Sequence, residues 1–445
     1  MTLARKRHPH RRGSVVIIII WTIAVAALIV SSIQLVSFRQ AAFGRESLGR
    51  IQARWAARAG MENTISMLGL HTERPIPDDA FAIVLDLEAV SSDELFDSSY
   101  EIAHHLEGVD YPGPMDEHSR MNIRRDDVGA FLSILDDITP TEIAEINDWV
   151  DADDEPTLLG LERDWYLANL GYEPRNEPFR TVPELEMVAG VWPDVVRGED
   201  FNYNNRLDPN EDDGEFSPPE DEPDGILEYG WGGLLTTYSV DGGATQTGLP
   251  RLYLRRAEID QIVEQCGVDE VQAQALIDFS RSGQPVEQLI STPLSNVAED
   301  GSIQQDPVNQ EVSDLTDEQL RAVIAETTTT PPFERPPGRI NLNTASSDLI
   351  RDLLEVRGFE PAIADEIIFR RNSRREGITS ILDLSDIPDL TTEQLQELAG
   401  IFTTFSNVYT ITSRGRSHTT GLEVEIIAVV DRSTVPVRIL EYREQ

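Results

Sequence analysis

From Ser14 to Phe38 the sequence SVVIIIIWTIAVAALIVSSIQLVSF contains no charged residue. As a helix these residues would rise about 37 Å, more than the hydrocarbon core of a bilayer. The helical period continues through RQAAFGRESLGRIQARWAARAGMENTISMLGL, where Ala42, Leu48, Ile51, Trp55 and Met61 fall close to one face. The pattern predicts one long helix, apolar first and amphipathic after. Further on, apolar residues recur at helical spacing in three pairs of short segments, within 121–150, 252–282 and 340–371. Alternation of period two marks LEVEIIAVV and VRILEY near the carboxyl end as strands. These should pair with an early strand region around SYEIAHHLEGVDY (99–111).

Each helical pair has the plan of an extended start, a helix, a turn and a second helix. In the second pair Ile259, Ile262 and Val263 should face inward from the first helix, and Ala273, Leu276 and Ile277 from the second. In the third, Leu349, Leu353, Ile363 and Ile367 take those places. A short element follows each pair: PFRTVPEL (178–185), QPVEQLI (284–290) and GITSILDL (377–384). The copies are unevenly spaced, so they predict related units packed into one or two helical domains rather than a solenoid.

Such hairpins also occur as clamps on a nucleic-acid backbone, which needs bare backbone N–H groups at the turn. Here the third turn reads Arg357-Gly358-Phe359-Glu360, with a carboxylate where a second glycine would stand, and the first reads Ile138-Thr139-Pro140. Proline removes a donor. Arginines and acids balance across the third unit, and the whole chain carries a net charge of -42. A surface of that sign repels polyphosphate and attracts divalent cations, so no nucleic acid is expected as a partner. Arg370, Arg371, Arg374 and Arg375 remain available to an acidic neighbour. The single cysteine, Cys266, excludes an intrachain disulfide. The seven histidines show no metal-protease spacing, and no phosphate-binding glycine loop or nucleophile elbow is present. No enzymatic activity is expected.

Two acidic clusters point to metal. In DFNYNNRLDPNE (200–211) oxygen side chains fall at positions 1, 3, 5, 9 and 12: Asp200, Asn202, Asn204, Asp208 and Glu211. This is the spacing of an EF-hand calcium loop, with Arg206 at position 7 supplying its carbonyl. Position 6 needs a left-handed backbone, which Asn205 tolerates, and Leu207 should anchor the loop to a core. Pro209 argues against a regular exiting helix. In DWVDADDEP (148–156), Asp151, Asp153 and Asp154 crowd carboxylates at a helix end, where the dipole disfavours negative charge. Glu162 and Asp164 are near enough in sequence to complete a calcium site there.

The amino end, MTLARKRHPHRRG, carries five basic residues and no acid, and ends in Gly13 directly before the apolar run. It resembles a prepilin leader, which a dedicated peptidase cuts after glycine. The resemblance implies processing between Gly13 and Ser14, methylation of the new terminus, and a retained membrane helix. Most pilin-like subunits have Glu at the fifth mature position. Here that residue is Ile18, an absence characteristic of the type II secretion system protein K family. DWVDADDEP, then LERDWYLANLGYEPRNEPFRTVPELEMVAGV (161–191), INLNTAS (340–346) and the strand-rich tail are similar to that family as well.

The resemblance implies an α+β fold: a long transmembrane helix and a pilin-like antiparallel sheet, interrupted by a large helical insert of helix-hairpin-helix or SAM-like units. It also implies calcium. The expected layout is a leader (1–13), a transmembrane and spine helix (14–68) and a first part of the sheet (69–120). Helical unit one follows (121–200), then an insertion atypical of the family, with the EF-like loop and unit two (201–335). Unit three (336–403) and the closing strands (404–445) complete the chain. The expected place is the inner membrane, single pass, with the basic end cytoplasmic and the bulk periplasmic. The role implied is a minor pseudopilin at the filament tip, initiating the filament and aiding protein export. Its partners would be I-like and J-like minor pseudopilins, the major pseudopilin, the prepilin peptidase and exported substrates. The alternatives are a membrane-anchored DNA-uptake protein and a minor type IV pilin for adhesion or motility.

Overall fold

The computed structural model describes residues 13–74, 82–106, 108–125, 128–219, 221–241, 243–245, 249–374 and 376–445. The leader, apart from Gly13, lies outside them, as does Arg375. The first helix, α1, runs from Gly13 to Glu73 without a break. It meets the length and composition needed to cross a membrane, and no part of its apolar window is buried by the described residues. A helix of this length holds together because it contains no proline and its second half rests on a sheet.

That sheet has seven strands: β1 Ser92–Leu95, β2 Ser98–Leu106, β3 Val109–Pro112, β4 Met115–Asp116, β5 Val408–Ser417, β6 Glu423–Asp431 and β7 Arg438–Glu444. The spatial order is β1-β2-β5-β6-β7, with β3 beside β2 and β4 beside β5. All pairings are antiparallel. Ser413 lies opposite Ile102, and Val408 opposite Asp431. The early strand region and the tail therefore meet as their alternation predicts, although some 300 residues separate them.

The face that α1 turns to this sheet differs from the expected one. Leu48, Ile51 and Trp55 stay exposed, while Ala53, Ala56, Ala57, Met61 and Leu68 are buried. Closeness is the reason. A Cβ added to Gly415 on β5 would lie 2.0 Å from the Ala53 carbonyl oxygen, and one on Gly60 would lie 2.5 Å from the Tyr100 ring. Only small residues allow that approach, so the larger apolar side chains are left facing outward. A short helix, α2 (Ala82–Ala89), completes this core through Ile83 and Leu87.

Between β4 and β5 the chain builds a helical body. The first unit contains α3 (Val128–Leu132) and α4 (Pro140–Val150). Its first helix is a single α turn, continued by i→i+3 bonds at Ile134 and Leu135 and ended by Asp137 at φ 59°. The second unit is Ile259–Cys266 with Glu270–Phe279, and the third is Ser347–Val356 with Pro361–Ser373. Ile262, Ala273, Leu276, Leu349, Leu353, Ile363 and Ile367 are all buried, whereas Ile259, Val263 and Ile277 are half-buried. The short elements after the three pairs fold as 3₁₀ turns at Val182–Met187, Val286–Ile290 and Ile381–Leu384. Units one and three share a single core, in which Phe131, Ile146 and Trp149 join Leu349, Leu353 and Ile363. Unit two has its own core around Leu254, Leu276, Phe279 and Val323.

Gly415→Val is expected to lower stability toward chemical denaturant by about 1–3 kcal/mol, since the new side chain must push α1 off β5. Gly44 has open space around its Cα. Gly44→Ala should leave that transition unchanged or raise it slightly.

Candidate metal centre

Helix α4 starts on a Thr139–Glu142 capping box with Pro140 in its first turn, and ends at Asp151, whose N–H returns to the Asn147 carbonyl. Its inner face buries Glu145, Ile146, Asp148 and Trp149. Trp149 packs edge-on against Tyr166 at 5.2 Å and against Tyr172 at 6.1 Å. Tyr166 belongs to α5 (Arg163–Asn169), so this aromatic contact fixes α5 against the end of α4. Glu162 is the residue that caps α5, yet its side chain makes no capping bond. It turns instead toward α4.

There, one carboxylate oxygen each from Asp148, Asp151 and Glu162 lie within 4.8 Å of one another. Asp148 is fully buried and Glu162 is only 4 % exposed. Asp148 Oδ2 accepts the Thr157 N–H at 2.9 Å, and Asp151 Oδ1 accepts the Asp153 N–H. Asp148 Oδ1 and both oxygens of Glu162 have no hydrogen-bond partner. Buried carboxylate oxygens are almost always paired, and three mutually repelling ones are costly without a cation. Burial, reinforced by the Asp151 and Asp148 charges, pushes the Glu162 carboxyl up to about 7. Burial likewise raises that of Asp151. A Cβ on Gly160 would stand 2.0 Å from Asp148 Oδ2, so that glycine keeps the pocket open. Hard oxygen donors in a negative, partly enclosed cup suit calcium, with carbonyls and water completing the shell.

The sequence-based set is thus redrawn. Asp151 and Glu162 converge, and Asp148, which was not among the candidates, joins them. Asp153 and Asp154 do not take part. Asp153 Oδ1 accepts the Glu155 N–H and Asp154 Oδ1 accepts the Asn176 amide, both at the surface. The helical period held the missing signal: Asp148 precedes Asp151 by three residues, hence one turn along the same face.

The 200–211 loop is gathered, though by different forces. Asn205 takes the left-handed backbone at φ 56°, as does Tyr203 at φ 55°. Asp200 accepts the N–H groups of Asn204 and Asn205 at 2.9 and 3.0 Å, and Glu211 accepts those of Phe201 and Asp208. Asp208 receives the side-chain amides of Asn202 and Asn204, each at 2.9 Å. The guanidinium of Arg414 from β5 pairs with Asp208 and with Glu425 of β6. Burial pushes the Asp200 carboxyl up to about 6 and that of Glu211 to about 8. The Arg206 side chain is drawn to Glu101, and Leu207 is only half-buried. Anchoring falls to the loop backbone instead, through Arg443 on the carbonyls of Asn202 and Tyr203 and Thr412 on that of Asn204.

The arginines of the third unit are also engaged. Arg370 pairs with Glu366 and Asp386, and Arg371 donates to the carbonyls of Leu342 and Ala345. Glu360 caps the second helix of that pair in the position where a phosphate-binding turn needs bare backbone.

Residues 129–198, which include all three clustered carboxylates, match a family model described as type II secretion system (T2SS), protein K. No curated protein matches the chain. Among solved structures, a chain of the GspK-GspI-GspJ complex from the enterotoxigenic Escherichia coli type 2 secretion system aligns at 12% identity, over 90% of this chain and 99% of that one, with a TM-score of 0.44. The family similarity is thus confined to residues 129–198, the segment that holds the three-carboxylate cluster.

Proposed function

We propose that the chain is a minor pseudopilin of a type II secretion system, anchored in the inner membrane by α1 and carrying its sheet and helical body in the periplasm. The observation that carries this reading is the protein K match over residues 129–198, joined to a 61-residue amino-terminal helix whose apolar half is bare. The exposed stripe of Leu48, Ile51 and Trp55 continues that bare surface along the side of α1 turned away from the sheet, where neighbouring subunits of a filament would pack. The helical body sits as a wide mass on the sheet, so no further subunit stacks above it and the protein caps the tip. Its partners there are the minor pseudopilins corresponding to GspI and GspJ, with the major pseudopilin below and the exported protein at the tip. Processing after Gly13 precedes assembly. The protein acts by shape and contact, without catalysis.

Calcium completes the helical body in this reading. Asp148, Asp151 and Glu162 hold the ion, which ties the end of α4 to the start of α5. The loop at 200–211 is the second position proposed for calcium, and an ion there has to displace Arg414 from Asp208.

Co-expression with I-like and J-like pseudopilins should give a complex that survives purification in detergent. Mass spectrometry should find the mature chain starting at Ser14. An intact Met1, or no retained partner, overturns the assignment. Calcium at 100 times its dissociation constant should stabilise the full-length protein by about 2.7 kcal/mol, read as a rise in melting temperature. Asp148→Asn and Glu162→Gln should abolish most of that rise. With a chelator at pH 8 the sign reverses: Glu162→Gln should exceed the unaltered protein by on the order of 1 kcal/mol, because it removes a buried charge that two neighbouring carboxylates repel. Asp200→Ala with Glu211→Ala should remove only the part of the rise that belongs to the second loop.

A further inference from the structure

One cleft runs against the charge of the whole molecule. It measures about 460 Å³ and lies between the turn at 175–180, the segment 237–240 and strand β7. Five arginines line it, Arg124, Arg175, Arg180, Arg335 and Arg438, against only two acids, Glu177 and Asp431. The whole chain carries 79 acids and 37 lysines and arginines. Two of the five arginines are committed. Arg175 pairs with Glu184 and Glu177 and donates to the Pro178 carbonyl, and Arg335 pairs with Asp431. Arg124 and Arg438 are exposed and have no side-chain partner among the described residues. Arg180 has only Glu177, at 3.8 Å, with three-quarters of its side chain in solvent. Glu184 and Glu441 stand beside the cleft too, but they are held by Arg175 and by Tyr238 and Arg443. Salt screens charges beyond about 8 Å at physiological strength, so an approaching ligand feels chiefly the exposed Arg124, Arg180 and Arg438.

We infer that the cleft is a docking site for an extended acidic segment of a partner protein. The guanidinium fork suits carboxylates, and Pro178 and Leu440, both exposed, give the cleft an apolar wall for side chains between them. Arg438 and Leu440 belong to β7, whose outer edge has no strand partner among the described residues. An extended chain laid there also gains backbone hydrogen bonds. A lipid headgroup is excluded by position. Thr72, near the end of α1, donates to the Arg432 carbonyl next to Asp431 in the cleft. From Phe38 to Thr72 a helix rises about 50 Å, which sets the cleft well clear of the membrane surface. The inference stands whether or not the chain caps a secretion filament.

The test is fluorescence anisotropy on the full-length protein in detergent, with labelled ten-residue peptides of alternating Glu-Val and alternating Lys-Val. At 20 mM salt the acidic peptide should bind saturably and at least about tenfold tighter than the basic one, and should weaken as salt is raised. Arg124→Glu with Arg180→Glu and Arg438→Glu should weaken it at least another tenfold, with an unchanged melting temperature. If that variant melts early, the same three positions changed to Gln should still reduce binding. Equal binding of the two peptides, no saturation, or full binding to a folded triple variant overturns the inference. Tighter binding of a ten-residue oligothymidine, lost in the same variant, also overturns it.

Discussion

The carboxylate of Asp116, buried where β4 leaves the sheet, holds the sheet and the helical body in one arrangement. Its Oδ1 accepts the His118 N–H at 2.7 Å, and its Oδ2 accepts from Asn341, Thr344 and Ser406. Asn341 and Thr344 belong to INLNTAS, the entry to the third helical unit, and Ser406 lies two residues before β5. Glu117 beside it takes Arg120, Thr236 and Thr410, so the segment 231–240 is tied to the same point. A charged acceptor strengthens each of these bonds, and burial makes the loss of any one costly. The chain leaves the sheet at residue 116 and returns near 406, and both ends of that excursion are pinned by one pair of neighbouring acids.

INLNTAS thereby gains a structural meaning. Ile340 and Asn341 form a short parallel ladder with Phe402 and Thr403. Asn343 donates to the carbonyls of Ile378 and Thr404 and accepts the Ile378 N–H. The two asparagines satisfy backbone groups that no regular element reaches. The hairpin that follows is positioned by this joint, and its arginines serve it: Arg371 closes on Leu342 and Ala345. A second tie, Arg339 between Glu287 and Asp241, fastens unit two to the same region. With Thr236 on Glu117, these contacts make residues 236–287 a part of the body rather than an appendage.

What the sequence displays well is periodicity. The long helix, the strand alternation of the tail and the buried stripes of units two and three follow from spacing alone, because burial demands it. What it hides is distance between segments. Nothing local distinguishes Leu48 and Trp55, which face outward, from Met61, which is buried; the choice is made by Gly415, some 350 residues away. The carboxylate cluster divides in the same manner. Acid density pointed to 151–154, but the fold selects by direction. Asp148 and Glu162 were brought together by the packing of Trp149 on Tyr166, an interaction between helices that no motif records. In the 200–211 loop the spacing was legible and the partner was not, since Arg414 arrives from β5.

The three charged places show how position governs what a carboxylate does here. At Asp116 every oxygen is paired, so the charge is spent on structure. At Asp208 the opposing charge is supplied by the chain itself, through Arg414, and the loop is held without help. At Asp148 and Glu162 neither occurs: Asp148 Oδ1 and both Glu162 oxygens are buried, unpaired and close together, and neither residue has an arginine partner among the described residues. Aromatic packing of α4 on α5 holds the three carboxylates together against their mutual repulsion. That imbalance singles out this end of α4 as the place in the helical body where a positive charge would relieve the most repulsion.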